Sequence, residues 1–82
     1  MIRVSVKLFA VLRDRAGTAE VTLELPDGAT VAAAGRALVE RLPALHDLTK
    51  QAAYAVNREY AGRETVLRDG DEVAVIPPVS GG

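Results

Sequence analysis

The chain opens on a strict alternation of apolar and polar positions. Residues 2–9 read I-R-V-S-V-K-L-F, with Ile2, Val4, Val6 and Leu8 on one face and Arg3, Ser5, Lys7 and Phe9 on the other. A period of two predicts a half-buried strand. Residues 19–25 repeat it, Ala19, Val21, Leu23 and Leu25 alternating with Glu20, Thr22 and Glu24. Between them, Val11 to Gly17 reads as a polar connection with one short helical turn that Gly17 ends. Pro26-Asp27-Gly28 predicts a turn, because Pro fixes φ and Gly tolerates φ > 0.

From Thr30 the period changes. Thr30 occupies a helix N-cap position, and Val31, Ala34, Gly35, Leu38, Val39 and Leu42 follow helical spacing, an apolar stripe of about three turns. Pro43 ends it. Gly35 lies inside the stripe, so its missing side chain predicts a close approach of helix and sheet; no glycine-rich loop surrounds it for phosphate binding. Residues 44–53 predict a loop with a short helix. A short strand runs from Ala53 to Val56, Asn57-Arg58-Glu59 forms a turn, and a further short strand lies near Tyr60. Thr65-Val66-Leu67 leads into the strong turn signal Arg68-Asp69-Gly70-Asp71. Glu72 to Ile76 is the last strand, closed by Pro77-Pro78.

Strands before and after one main helix, in the order β-β-α-β-β with the extra short strand near Tyr60, predict an α+β domain. The first and last strands are both apolar on one face, so pairing them centrally and in parallel is the economical topology. That arrangement is the ubiquitin-like β-grasp, a mixed sheet with the helix on one face and the other face uncovered. The folded domain is expected over residues 1–77, with residues 78–82 as a flexible, extended C-terminal Gly-Gly tail.

Eighty-two residues suit one small domain. Hydrophobic residues make up 49% of the chain, and 36 of them are Ala, Val, Leu or Ile, so the core is aliphatic and disorder is excluded. Ten Lys+Arg against eleven Asp+Glu give a formal charge of −1, every arginine cluster is interleaved with acids, and aromatics are only 4%, which argues against a nucleic-acid partner. With no cysteine, neither a disulfide scaffold nor a thiolate metal cluster is available. Apolar runs are a few residues long, far below the ~20 that span a bilayer. Met1 leads straight into a strand pattern with no targeting signal, so no membrane association and a cytoplasmic location are expected.

Conventional active sites fail on residue supply. His46 is the only histidine and lies beside Asp47, which reads as a solvated loop residue; Ser5 and Ser80 are the only serines. Arg13-Asp14-Arg15 and Asp69-Gly70-Asp71-Glu72 read as solvated turns rather than paired catalytic carboxylates. No catalytic residue, resident metal or bound cofactor is expected. The informative feature is the C-terminal stretch Pro77-Pro78-Val79-Ser80-Gly81-Gly82. Prolines stiffen its exit from the sheet, and glycines without a Cβ leave it thin enough for a narrow channel. Five extended residues from Pro78 to Gly82 reach about 16–18 Å. Such a tail delivers the α-carboxylate of Gly82 into a partner, where ATP can convert it to an acyl-adenylate open to attack by sulfur or an amine.

The stretches V-K-L-F-A-V-L-R-D-R-A-G (6–17), A-V-N-R-E-Y (55–60) and L-R-D-G-D-E-V-A-V-I-P-P-V-S-G-G (67–82) resemble the MoaD/ThiS family of small sulfur carriers, and within it the MoaD branch, small subunits of molybdopterin synthase. The resemblance implies that Gly82 is adenylated by a MoeB-like E1 enzyme using ATP and becomes a thiocarboxylate. It implies that Pro78, Val79, Ser80, Gly81 and Gly82 insert into a MoaE-like large subunit, which holds the catalytic lysines, in a heterotetramer. Sulfur then passes to cyclic pyranopterin monophosphate to build the dithiolene of molybdopterin. The absence of cysteine fits, since a persulfide cannot form on this chain. Phe9, on the polar face of its strand, is either a partner anchor or a cover over the 10–16 turn. Ile76 is out of phase with Val73 and Val75 and is expected to join Phe9 on the uncovered face, with Arg13 as a polar partner contact. Two rivals share the tail: a carrier for thiamin synthesis or tRNA thiolation, and a ubiquitin-like protein modifier. A ubiquitin-like binding module with a passive tail would make the glycines dispensable.

Overall fold

The computed structural model describes residues 1–78, so the tail residues Val79, Ser80, Gly81 and Gly82 lie outside the described residues. Five strands, β1 (Ile2–Leu8), β2 (Glu20–Leu25), β3 (Ala53–Val56), β4 (Glu59–Ala61) and β5 (Glu72–Ile76), form one sheet in the order β2-β1-β5-β3-β4. β1 and β5 run parallel in the middle while the other neighbours are antiparallel. This is the β-grasp topology that the apolar faces of the first and last strands called for.

Three helices accompany the sheet: α1 (Ala10–Ala16), α2 (Val31–Arg41) and α3 (His46–Lys50), with a 3₁₀ turn Pro43–Leu45 between the last two. α2 is the expected main helix. Its N-cap is Thr30, whose hydroxyl accepts from the Ala33 amide at 3.3 Å, and its C-cap is Leu42, just before Pro43. The short helical turn expected between Val11 and Gly17 is present as α1, longer than one turn, with Leu12 turned fully into the core and Gly17, at φ 75°, ending it in the left-handed region. The short helix expected within 44–53 is also present, as α3, with Leu45 and Thr49 buried; one expectation needs correction, since His46 belongs to α3 rather than to a loop.

The core lies between sheet and helices. Val4, Val6, Leu8, Val21, Leu23, Val73 and Val75 meet Leu12, Val31, Ala34, Leu38 and Leu45, all buried. Burying each of these valine and leucine side chains contributes about 1.5–3 kcal/mol. Gly35 faces Tyr54 of β3, and a Cβ added there would lie 2.9 Å from the Tyr54 hydroxyl. The close approach expected at Gly35 is therefore present. Arg41 of α2 donates to the Thr22 carbonyl at 2.8 Å and covers part of the β2 edge. Among the described residues no helix is long and apolar enough to cross a membrane.

Candidate functional site

The helix-free face of the sheet is built by the residues that alternate against the core. A continuous ladder crosses all five strands, Glu20 opposite Lys7, Lys7 opposite Ala74, Ala74 opposite Ala55, and Ala55 opposite Tyr60. Its β2–β1 half is charged and internally paired, with Lys7 Nζ 2.9 Å from Glu20 Oε2 and Arg3 Nη2 3.3 Å from Glu24 Oε1. The hydrogen bond to Glu20 raises the Lys7 pKa, and the charges of Glu20 and Glu72 add to it, so this amine stays cationic.

Its other half is a groove of about 490 Å³ with an apolar floor. Ala55 and Ala74 are small, so they form a dip, and Phe9, Ile76 and Tyr60 stand around it. Parallel pairing brings Phe9 to Ile76: Leu8 faces Val75, and the next residue on each strand points the other way. Phe9 is 47% and Tyr60 79% exposed, large aromatic surfaces left to solvent. Lys7, Arg58 and Glu72 supply charges at the rim.

Local backbone geometry supports this placement. Phe9 is the extended N-cap of α1, and Ala10 follows it at φ 51°, a left-handed conformation that costs a non-glycine residue on the order of 1 kcal/mol. Asn57 and Arg58 have φ of 50° and 72°, the two positive values of a type I′ hairpin turn between β3 and β4. Asn57 ties that turn to β5, donating from Nδ2 to Asp71 Oδ1 at 2.9 Å and accepting from the Glu72 amide at 3.0 Å. Asp71 Oδ2 also accepts from the Arg68 amide at 2.8 Å, and Asp69 Oδ1 from the Arg3 amide at 2.8 Å. These acids therefore staple turns.

Of the site residues read from sequence, Phe9 and Ile76 come together in the groove, and Pro78 is exposed just beyond the end of β5. Arg13 does not join them. It is exposed on α1, which leaves the sheet after Phe9, and it is not among the residues around the groove. Tyr60, Arg58, Ala55 and Ala74 were not singled out by sequence reasoning. The only signal for them was alternation in strands too short to reveal a face. His46 is exposed, its Nδ1 3.3 Å from Asp47 Oδ1.

Residues 6–82 match the ThiS family. The chain belongs to that family. It is 41% identical to the molybdopterin synthase sulfur carrier subunit of Chlamydomonas reinhardtii, over 99% of this chain and 100% of that protein. The corresponding subunit of Mycobacterium tuberculosis is 39% identical, with both chains covered completely. Among solved structures, the crystal structure of SAMP1 from Haloferax volcanii superposes with a TM-score of 0.90 at 35% identity, over 98% of this chain and 99% of that one. The groove therefore lies on the sheet of a ThiS-family β-grasp, at the end from which the Pro-Pro tail departs.

Proposed function

We propose that this chain is the sulfur-carrier small subunit of a molybdopterin synthase. The observation that carries the reading is full-length similarity, 41% identity over 99% of the chain, to a relative that bears that name. The carrier atom is the terminal carboxyl of Gly82. An E1-like enzyme of the MoeB type joins it to AMP from ATP with release of pyrophosphate, and a sulfur donor then displaces AMP to leave the thiocarboxylate. Residues Pro78 to Gly82 form the inserting tail, and residues 1–77 the body that docks. The groove around Phe9 and Ile76 seats a protein partner, a MoaE-like large subunit, and Arg13 contacts it from α1. No general base or metal is needed on this chain, and ATP is used by the activating enzyme. Deleting Gly82 is expected to abolish thiocarboxylate formation while thermal stability stays nearly unchanged. Removal of one residue withdraws the carboxylate by about 3.5 Å, and ~1 Å of misplacement can cost about a hundredfold in rate. Gly81→Val is expected to fold but load poorly. Intact mass after incubation with the E1-like enzyme, ATP and a sulfur donor reads replacement of one oxygen by sulfur; a truncated chain that still gains sulfur and supports dithiolene synthesis removes the reading.

A second reading, a protein modifier, is favoured by the similarity to small archaeal modifier protein 1 of Haloferax volcanii, 38% identical over 93% of this chain. The two share the activated Gly82 and differ in the acceptor, a pterin precursor or a lysine amine. Recovery of the chain in isopeptide linkage to other proteins selects the modifier; recovery with a MoaE-like subunit selects the synthase.

A further inference from the structure

The helix side of the molecule holds a second concavity, remote from the groove. It is a cleft of about 350 Å³ between α2, α3 and the segment after β4. Tyr54 forms part of its floor. That residue is only 6% exposed, and its hydroxyl has no hydrogen-bond partner among the described residues although it reaches the cleft beside Gly35. Arg36, Lys50 and Arg63 line the walls, and none of the three is ion-paired among the described residues; Glu40 is the one carboxylate on the lining. Arg63 is held at both ends. Its carbonyl accepts from the Ala32 amide at 2.9 Å, and its guanidinium donates through Nη2 to the Lys50 carbonyl at 3.4 Å. Burial raises the Tyr54 pKa, an effect that outweighs the lowering by Arg63, so the phenol is a neutral donor at physiological pH. A phenol donor that opens onto a cleft lined by three exposed cations and one carboxylate suits a compact, multiply charged oxyanion. Gly35 is what leaves room for the phenol, since a Cβ there would lie 2.9 Å from its hydroxyl.

We propose that this cleft binds a phosphate group of a small molecule, with the Tyr54 hydroxyl and the Arg36, Lys50 and Arg63 cations as its donors. The test is titration of the ¹⁵N-labelled full chain with inorganic phosphate and, separately, pyrophosphate, at constant ionic strength against chloride. Saturable shifts confined to the amides around Gly35, Arg36, Lys50 and Arg63 are expected. Tyr54→Phe should weaken binding about tenfold, the effect of removing a hydrogen bond to a charged group. Arg36→Glu with Lys50→Glu should abolish it, both positions being exposed and the fold read from the same spectra. Tighter binding of pyrophosphate than of phosphate identifies a diphosphate-bearing ligand; equal binding identifies a single phosphate. Non-saturating drift spread over all basic residues overturns the proposal. So does saturable binding that Tyr54→Phe leaves unchanged.

Discussion

Alanine is a better helix former than glycine by about 1 kcal/mol, yet position 35 of α2 is glycine. The reason is the 2.9 Å between an added Cβ and the Tyr54 hydroxyl; the next nearest atom, the ring carbon that bears it, is at 3.6 Å, an ordinary contact. Gly35→Ala is therefore expected to destabilise the wild-type chain by about 1 kcal/mol, overpacking exceeding the helix gain. In the Tyr54→Phe background the same change should stabilise by up to ~1 kcal/mol. Urea unfolding of the four proteins measures the coupling, and additive effects would show that the contact is absent. Tyr54 also sets an alkaline dependence. Its pKa in the folded chain is raised by burial, so the unfolded chain ionises first, near pH 10. Its contribution is full below that pH and is lost as pH climbs through the folded pKa. Lys7, also raised, loses its contribution in the same alkaline range. Tyr54→Phe should flatten the stability profile above about pH 10, and absorbance titration of a Tyr60→Phe variant should place the remaining phenol above its ordinary range. A Tyr54 that titrates at or below that range contradicts this account.

At the scale of elements, α1 decides how the sheet's first strand ends. Its single fully buried side chain, Leu12, anchors a short helix that begins from the left-handed Ala10. A helix this short has little stability of its own in water, so the anchor rather than propensity holds it. Leu12→Ala keeps helix propensity but opens a cavity, and a loss of about 2–4 kcal/mol is expected in denaturant unfolding. A loss below ~0.5 kcal/mol, the scale of surface substitutions, would place Leu12 outside the core. The turn ended by Gly17 was legible in 11–17, but its anchor was not, because one buried residue in seven carries no period. The same holds for Leu45 and Thr49, whose burial comes from packing beneath α2 and not from any repeat.

For the whole molecule, the parallel pairing of β1 with β5 matters most. It brings the beginning of α1 and the Pro77-Pro78 exit to one end of the sheet, so the Phe9–Ile76 groove and the root of the tail are neighbours. A partner seated on the groove thus also meets the Pro77-Pro78 exit. Phe9→Ala is expected to weaken binding of the large subunit by more than ~1 kcal/mol, as truncation of an aromatic anchor does. Thermal unfolding should be nearly unchanged, since Phe9 is 47% exposed. Calorimetric titration together with a melting curve separates the two effects. Unfolding without a distinct binding defect would assign Phe9 to the core instead.

Alternation in the strands, the Thr30 cap, the Pro43 stop and the Gly17 and Gly28 turns were determined by the sequence itself, because each depends on φ/ψ preference and on which face a side chain takes. Those local facts sufficed for the β-grasp, since two one-faced strands at the chain's ends have one economical pairing. The phase of Phe9 and Ile76 was also local and legible. What only the tertiary structure decided is register and depth: Ala55 and Ala74 meet opposite each other to floor a groove, Tyr60 closes it, Arg13 lies on α1 outside its lining, and Tyr54 reaches Gly35 under a basic cleft. Each of these joins residues distant along the chain, and their neighbours are set by hydrogen-bond register and core volume, quantities that no local pattern encodes.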